Sequence, residues 1–323
     1  MQNTVDFQGF NRLLTQFAIE RGSGGSFVAD LLAPPTPTET QEYVVPKFQS
    51  SLVTQGLTTT LVGPDGDVNI VEDISPDLTP GFCVRRGLKS YTLDEIKAQP
   101  HGDLYANEEV VLQNRIDELR REMEIKVKAM LDARKIVSGF HSSPSVKWDA
   151  TGFTGVAAIE NIEAAIREAE IISGKSNESG NWKLVVPPLV ADKLKSYLRQ
   201  ALKYTNGEFT LGGKLPPTLA MANVILPGAM QNTAAAGQTA SIARIWNTDD
   251  VYLVYVDPSF ASNRRSFTAM AQMRWNAVSP SYGAYRWRDQ NPMIKRTWVG
   301  TDIYDKLELL DANGIYVIDD VLT

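Results

Sequence analysis

The stretch NEEVVLQNRIDELRREMEIKVKAMLDARKIVS, residues 107–138, decides how the rest of the chain is read. Leu112, Ile116, Leu119, Met123, Val127 and Met130 recur at steps of four and three, which makes one face of a helix. Arg115, Glu118, Arg121, Glu122, Lys126 and Lys128 occupy the other. Asn107 serves as N-cap, Glu108 and Glu109 follow where the helix dipole favours negative charge, and Gly139 stops the run after Arg134 and Lys135. About 30 residues at ~1.5 Å each give a rod of ~45 Å. A compact globule of this length has a radius of gyration of only ~20 Å. A subunit built on this helix is elongated or flattened.

Upstream, residues 41–93 read as one long β-hairpin. Thr, Val, Leu and Tyr recur, and Gly63-Pro64-Asp65-Gly66-Asp67 marks the tip. An isolated two-stranded hairpin is marginal in water, so this one rests on another surface, in the same chain or in a partner. Residues 1–50 read as an arm. Phe10, Leu13, Leu14 and Phe17 fit a short helix face, Gly22-Ser23-Gly24-Gly25-Ser26 is a flexible spacer, and Ala33-Pro34-Pro35-Thr36-Pro37 is stiff and extended. Such a segment is ordered only by lying on something else.

Downstream, helices are expected at 155–173 and 189–203. Strands are expected at 182–186, 224–226, 242–246, 251–256 and 265–276, with shorter ones near 283–290, 293–300, 303–310 and 315–319. The fold class is therefore α+β.

Composition narrows the function. The chain has 323 residues, 43% hydrophobic and 22% charged, which is ordinary for a globular protein and allows about two domains. No apolar run approaches the ~20 residues of a membrane span, and the first residues lack the pattern of a signal peptide, so no membrane role is expected. One cysteine, Cys83, precludes an intrachain disulfide, and with two histidines it leaves no common zinc pattern. The net charge of -6 argues against a protein that condenses nucleic acid. Charge is unevenly spread. Residues 264–296 carry seven basic side chains against Asp289 alone, and residues 299–323 carry six acids against Lys306. Either adjacent strands pair these charges within one sheet, or the basic stretch faces a neighbouring subunit or a polyanion.

No catalytic constellation emerges, so no enzyme activity, cofactor or metal is expected. His101 and His141 lack nucleophile or metal spacing, and there is no Gly-x-Ser-x-Gly elbow. Leu211-Gly212-Gly213-Lys214 lacks the flanking residues of a phosphate loop. Asp65, Asp67 and Asn69 begin like a calcium loop, but Ile70 replaces its glycine and Pro76 its last acid. Cys83 reads as a half-buried strand residue. Glu118 and Glu122, among Arg115, Arg121 and Lys126, read as an internally paired helix face and not as an acid/base dyad.

The order of parts (arm, hairpin, long two-signed helix, compact domain, strands returning to the helix) resembles the major capsid proteins of tailed bacteriophages, the Hong Kong 97-type shell fold. The likeness is also local. Tyr91 through Ala106-Asn107-Glu108 into Leu119-Arg120-Arg121-Glu122 is similar to the lead-in and spine helix of that family. Trp148 with Leu184-Val185-Val186-Pro187, and Ile245-Trp246-Asn247 with Val251-Tyr252-Leu253, are similar to its axial domain. The resemblance implies an N-terminal arm at 1–40 and an extended loop at 41–93. It implies a peripheral domain at 94–179 and 265–311 with the spine helix at 107–138, and an axial domain at 180–264 and 312–323. It further implies a non-catalytic subunit of an icosahedral shell, made of hexamers and pentamers and enclosing double-stranded DNA without reading its sequence. Portal and scaffolding proteins would be its other partners, the virion its location and the host bacterial cytoplasm its place of assembly. Encapsulins share this fold, but usually start with a helix in place of a Gly- and Pro-rich arm; an α+β enzyme is the rival from another class. Expected interface residues are Phe10, Leu13 and Phe17 in the arm, Asp65 and Asp67 at the loop tip, and Arg115, Glu118, Arg121 and Glu122 on the helix.

Overall fold

The computed structural model describes residues 27–47, 77–97, 108–177, 180–202, 218–220, 222–234, 239, 241–261, 266–276, 282–289 and 295–323. In chain order the elements are α1 (Ala29–Leu32), β1 (Pro35–Thr38), β2 (Glu42–Lys47), β3 (Asp77–Phe82), β4 (Val84–Leu93), α2 (Asp94–Lys97), α3 (Glu108–Asp132) and β5 (His141–Ser142). Then come α4 (Gly155–Ser173), β6 (Trp182–Val185), α5 (Pro188–Leu202), β7 (Thr218–Leu219), β8 (Ala222–Ile225), β9 (Met230–Asn232) and β10 (Ile242–Arg244). The chain closes with β11 (Val251–Tyr255), β12 (Met270–Trp275), β13 (Gly283–Arg288), β14 (Arg296–Leu309) and β15 (Ile315–Ile318).

Two sheets and the long helix organise these parts. One sheet is built on β14, which pairs antiparallel with β4 along one edge and with β12 and then β13 along the other. β1 adds to β12 in parallel. The second sheet runs β5-β15-β11-β6-β8-β7. Its central strands β11 and β15 are buried and apolar, and α4 packs on the sheet through Ile162, Ala165 and Ile166, alongside Trp148 and Trp182.

Helix α3 is amphipathic as its spacing requires: Leu112, Ile116, Leu119, Met123 and Val127 are all buried. Leu112, Ile116 and Leu119 meet Val299 and Ile303 of β14, and Met123, Val127 and Leu131 meet Trp246, Tyr252 and Val317. The helix ends at Asp132, six residues before the expected 138, so it spans ~38 Å. The following residues turn because their side chains have other partners. Arg134 stacks on Phe140 at 3.8 Å, and Lys135 reaches Asp250 (2.9 Å) and Asp320 (3.0 Å). Leu131, not Met130, completes the buried stripe.

Three further expectations change. One continuous strand, β14 (Arg296–Leu309), stands in place of the two expected at 293–300 and 303–310. Two acids inside it are held across the sheet, Asp302 by Arg85 and Asp305 by Arg86. Residues 84–93 pair with β14 and not with the hairpin, whose described base is β2 with β3. From Phe27 onward the arm lies on its own subunit. β1 lies on β12, Thr36 and Thr38 point inward while Pro35 and Pro37 face out, and an edge strand tolerates the missing N–H groups.

What fixes the arm is Glu124, wholly buried on α3. Its carboxylate accepts from the backbone N–H of Val28 (3.0 Å) and Ala29 (2.8 Å) and from Trp246 Nε1 (2.6 Å). Beside it, Asp30 receives Arg274 (2.8 Å) and lies 3.8 Å from Arg120. Arg274 also donates to Gln272, Gln272 donates to Asp305 (2.6 Å), Asp305 holds Arg86, and Arg86 reaches Glu122 (3.2 Å). A polar chain thus runs under α3 from arm to sheet.

Both oxygens of Glu124 face donors, so an amide there sets its NH₂ against an N–H. Glu124→Gln is expected to cost about 2–3 kcal/mol, the penalty of a buried unmade hydrogen bond, in urea unfolding of the unassembled subunit followed by tryptophan fluorescence. Lys135 supplies a pH-dependent test. Burial pushes the Asp250 carboxyl up, but Lys135, the Asp320 N–H and the Thr248 hydroxyl hold it below the usual range; Lys135 is held above its own by both acids. A lowered acid stabilises above its unfolded pKa and loses that contribution as pH falls through its folded one. Lys135→Met should therefore cost about 1 kcal/mol at pH 7, discounted for solvent screening, and little near pH 3.

Candidate subunit interface

Strand alternation sets the geometry of the hairpin base. Tyr43 and Val45 point down onto the body and are buried with Cys83, Phe260, Met273 and Leu310. The Tyr43 hydroxyl donates to Glu308 (2.8 Å), and its ring lies directly over Gly81, opposite it in register. A Cβ at Gly81 would stand 2.3 Å from that ring, so glycine alone lets the ring lie flat and the hairpin sit flush. Cys83 is fully buried, deeper than the half-burial expected of it; its Sγ lies 3.6 Å from the Met273 carbonyl oxygen, and burial pushes the thiol pKa up.

The opposite face of the hairpin points away from the body and is apolar. Val44 is 49% exposed, Leu78 63% and Phe82 46%, with Pro80 across from Val44. Three large apolar side chains on one face of a two-stranded ribbon are what a protein–protein contact leaves uncovered in the free subunit.

A second outward surface lies on the β14 sheet, on the side away from α3. Tyr91, Trp298 and Trp287 stand at one register across β4, β14 and β13. Trp287 stacks on Trp298 at 6.0 Å, Tyr91 meets Trp298 edge-on at 5.2 Å, and Lys89 and Arg296 lie 4.8 and 4.7 Å from the Trp298 ring. The basic stretch 264–296 is largely neutralised within the molecule: Arg274 pairs with Asp30, Arg286 with Glu108, Arg288 with Asp94 and Arg296 with Asp289. Those acids are not in the acidic tail. The tail pairs instead with Arg85, Arg86 and Lys135.

Of the residues singled out by sequence, Phe10, Leu13, Phe17, Asp65 and Asp67 lie outside the described residues, as does His101. Arg115 and Glu118 pair with each other at 2.6 Å. Arg121 Nε donates to the Met230 carbonyl (2.7 Å), joining α3 to the β9–β10 ribbon. Burial raises the Glu122 pKa, but Lys126 (2.6 Å) and Arg86 outweigh it and hold it low. Arg121 and Glu122 are thus engaged inside the subunit. Val44, Leu78, Phe82, Tyr91 and Trp287 were not singled out, although the alternation around Tyr43 and Val45 carries the signal for the first three.

Among the described residues, one acidic group, Asp249, Asp250 and Asp320, has metal-like spacing, but the Lys135 ammonium sits within it. The recess between arm and helix, lined by Phe27, Asp30, Arg120, Gln272 and Tyr282, has room for about one water molecule. Among the described residues no helix is long and apolar enough to cross a membrane.

No protein-family model and no curated sequence matches the chain. Solved structures do. A phage-related protein from Bordetella bronchiseptica superposes with a TM-score of 0.64 at 16% identity, over 97% of both chains. The fold is that of phage capsid proteins. The capsid structure of cyanophage P-SCSP1u aligns at a TM-score of 0.60 and 11% identity, over 90% of this chain and 87% of that one. The encapsulin of Synechococcus elongatus aligns at 0.51 and 12%, over 92% and 88%. The resemblance to phage capsid proteins drawn from sequence is borne out at the level of the fold.

Leu78→Asp combined with Phe82→Asp should leave the unassembled subunit folded, since both side chains point outward, and should lower particle yield at least tenfold, an effect of about 1.4 kcal/mol per contact. Circular dichroism and sedimentation velocity read the two quantities separately.

Proposed function

We propose that this chain is the major capsid protein of a tailed phage, a structural subunit that assembles with copies of itself into a closed icosahedral shell around double-stranded DNA. One observation carries this reading: a chain that follows a capsid fold along almost its whole length presents an outward apolar hairpin face, Val44, Leu78 and Phe82. An exposed face of that kind gains free energy only by being covered. Repeating such contacts around closed symmetry yields rings and shells.

In this reading α3 is the spine helix. The segment 41–93 supplies the extended loop, whose base is β2 and β3, and the arm is residues 1–40. The peripheral domain is 94–179 with 265–311, and the axial domain is 180–264 with 312–323. Phe10, Leu13, Phe17, Asp65, Asp67, Arg115 and Glu118 contact neighbouring subunits, while Arg121 and Glu122 brace the helix that carries them. The subunit catalyses nothing and needs no cofactor. It forms hexamers and pentamers, meets portal and scaffolding proteins, and encloses the genome without sequence-specific grip, as an acidic chain suits. It is assembled in the host cytoplasm and resides in the virion.

The likeness to the Synechococcus encapsulin supports a second reading, a cellular compartment that encloses protein cargo. The contents of particles purified from the native source separate the two: nuclease-resistant DNA supports the phage reading and a co-purifying protein cargo the other. For assembly itself, gel filtration and negative-stain microscopy of the expressed chain should give a megadalton hollow particle. A species of ~35–70 kDa under all conditions would refute it. Asp65→Ala with Asp67→Ala should reduce shell formation while leaving the thermal midpoint of the free subunit within ~1–2 °C, as the reading of these residues as a loop tip requires.

A further inference from the structure

The β9–β10 ribbon and the outward side of α3 form an apolar strip that nothing in the described residues covers. Ile125 is 42% exposed, Met230 51% and Ile242 72%. The three belong to one corner of the molecule. Arg121, one turn before Ile125, donates to the Met230 carbonyl, and Ile245 N–H bonds the Ala229 carbonyl at 3.0 Å, so the ribbon is fastened against the helix there. Met230 stands opposite Arg244 and Ile242 opposite Asn232, which puts both apolar side chains on the same exposed face of the ribbon, while Gln231 and Ala243 are half-buried.

The described chain begins at that corner. Phe27 lies 5.0 Å from the Arg120 guanidinium and packs on the cluster that contains Ala229, Ile245 and Trp246. Residues 20–26, Glu-Arg-Gly-Ser-Gly-Gly-Ser, separate Phe27 from the segment bearing Phe10, Leu13, Leu14 and Phe17. Seven residues of this composition span ~15 Å on average and at most ~25 Å. A turn of α3 is ~5.4 Å, so Ile125 and Met230 lie within that reach. Phe10, Leu13, Leu14 and Phe17 recur at helical spacing, with Phe7 and Ile19 flanking them.

We infer that the N-terminal segment around Phe10–Phe17 docks on its own subunit, along the strip formed by Ile125, Met230 and Ile242. The docked segment shields the helix flank and the ribbon in the unassembled chain, and the Gly-Ser spacer is the tether that makes the contact intramolecular. The tether holds the segment at a high local concentration, so a small apolar contact suffices. This inference does not depend on the shell reading.

Hydrogen exchange on the dilute, unassembled full-length chain tests it. Amides of residues 7–19 should exchange about tenfold more slowly than in the Ile125→Glu/Met230→Glu variant, whose substitutions sit at exposed positions. Phe10→Glu with Phe17→Glu should abolish the same protection. Removing residues 1–19 should speed peroxide oxidation of the Met230 thioether several-fold. Unchanged exchange together with an unchanged oxidation rate overturns the inference. Protection that grows with protein concentration also overturns it, because the occupant is then a second copy.

Discussion

A buried carboxylate, Glu124, joins three parts of the chain at one point on the long helix. The arm contributes two successive backbone N–H groups, the far side contributes the Trp246 indole, and the helix contributes the acceptor. Burial pushes this carboxyl above the usual range, while its three kinds of donor draw it back. Burying such a group is costly unless its hydrogen bonds are made, so the three partners are held together or the site fails as a unit. The position of α1, and through it of β1 on β12, follows from that condition.

The sheet side of α3 applies the same rule to charge. Asp305 is nearly inaccessible on β14, yet it meets Arg86 from β4 and Gln272 from β12. Each member of the chain from Glu122 to Arg120 satisfies the next, which lets a sheet carry acids on the face that a helix covers. A polar layer of this sort adds less stability than an apolar one of equal volume, but it admits only one alignment of strands and helix. The hairpin base and the outer aromatic row then stand on a platform of fixed register.

Much of this was legible from sequence where a period was strong. The stripe from Leu112 to Val127, the helix at 155–173 and the apolar strands around 182–186 and 251–256 all follow from spacing alone. Misreadings fell where a charge has a distant partner. Nothing local to Glu124 and Arg120 announces Trp246 or Asp30, so the spacing assigns neither of them to a face. Two strands were expected where one, β14, runs through Asp302, whose partner Arg85 lies more than two hundred residues earlier. Lys135 suggested one more helical turn, whereas Asp250 and Asp320 draw it out of the helix. The outward hairpin residues were visible only as the complement of Tyr43 and Val45, and which face is down is decided by Gly81 and Glu308, again far apart in sequence from one another.

The serial order of α1 and β1 has a mechanical consequence. Any tension applied through residues 1–26 arrives first at Val28 and Ala29, where two charge-assisted hydrogen bonds to Glu124 anchor the backbone. Only after those yield can the force reach the four-residue parallel seam between Pro35–Thr38 and β12. The helix acts as a strain relief, so a pull from upstream is absorbed at Glu124 and the sheet beyond keeps its edge.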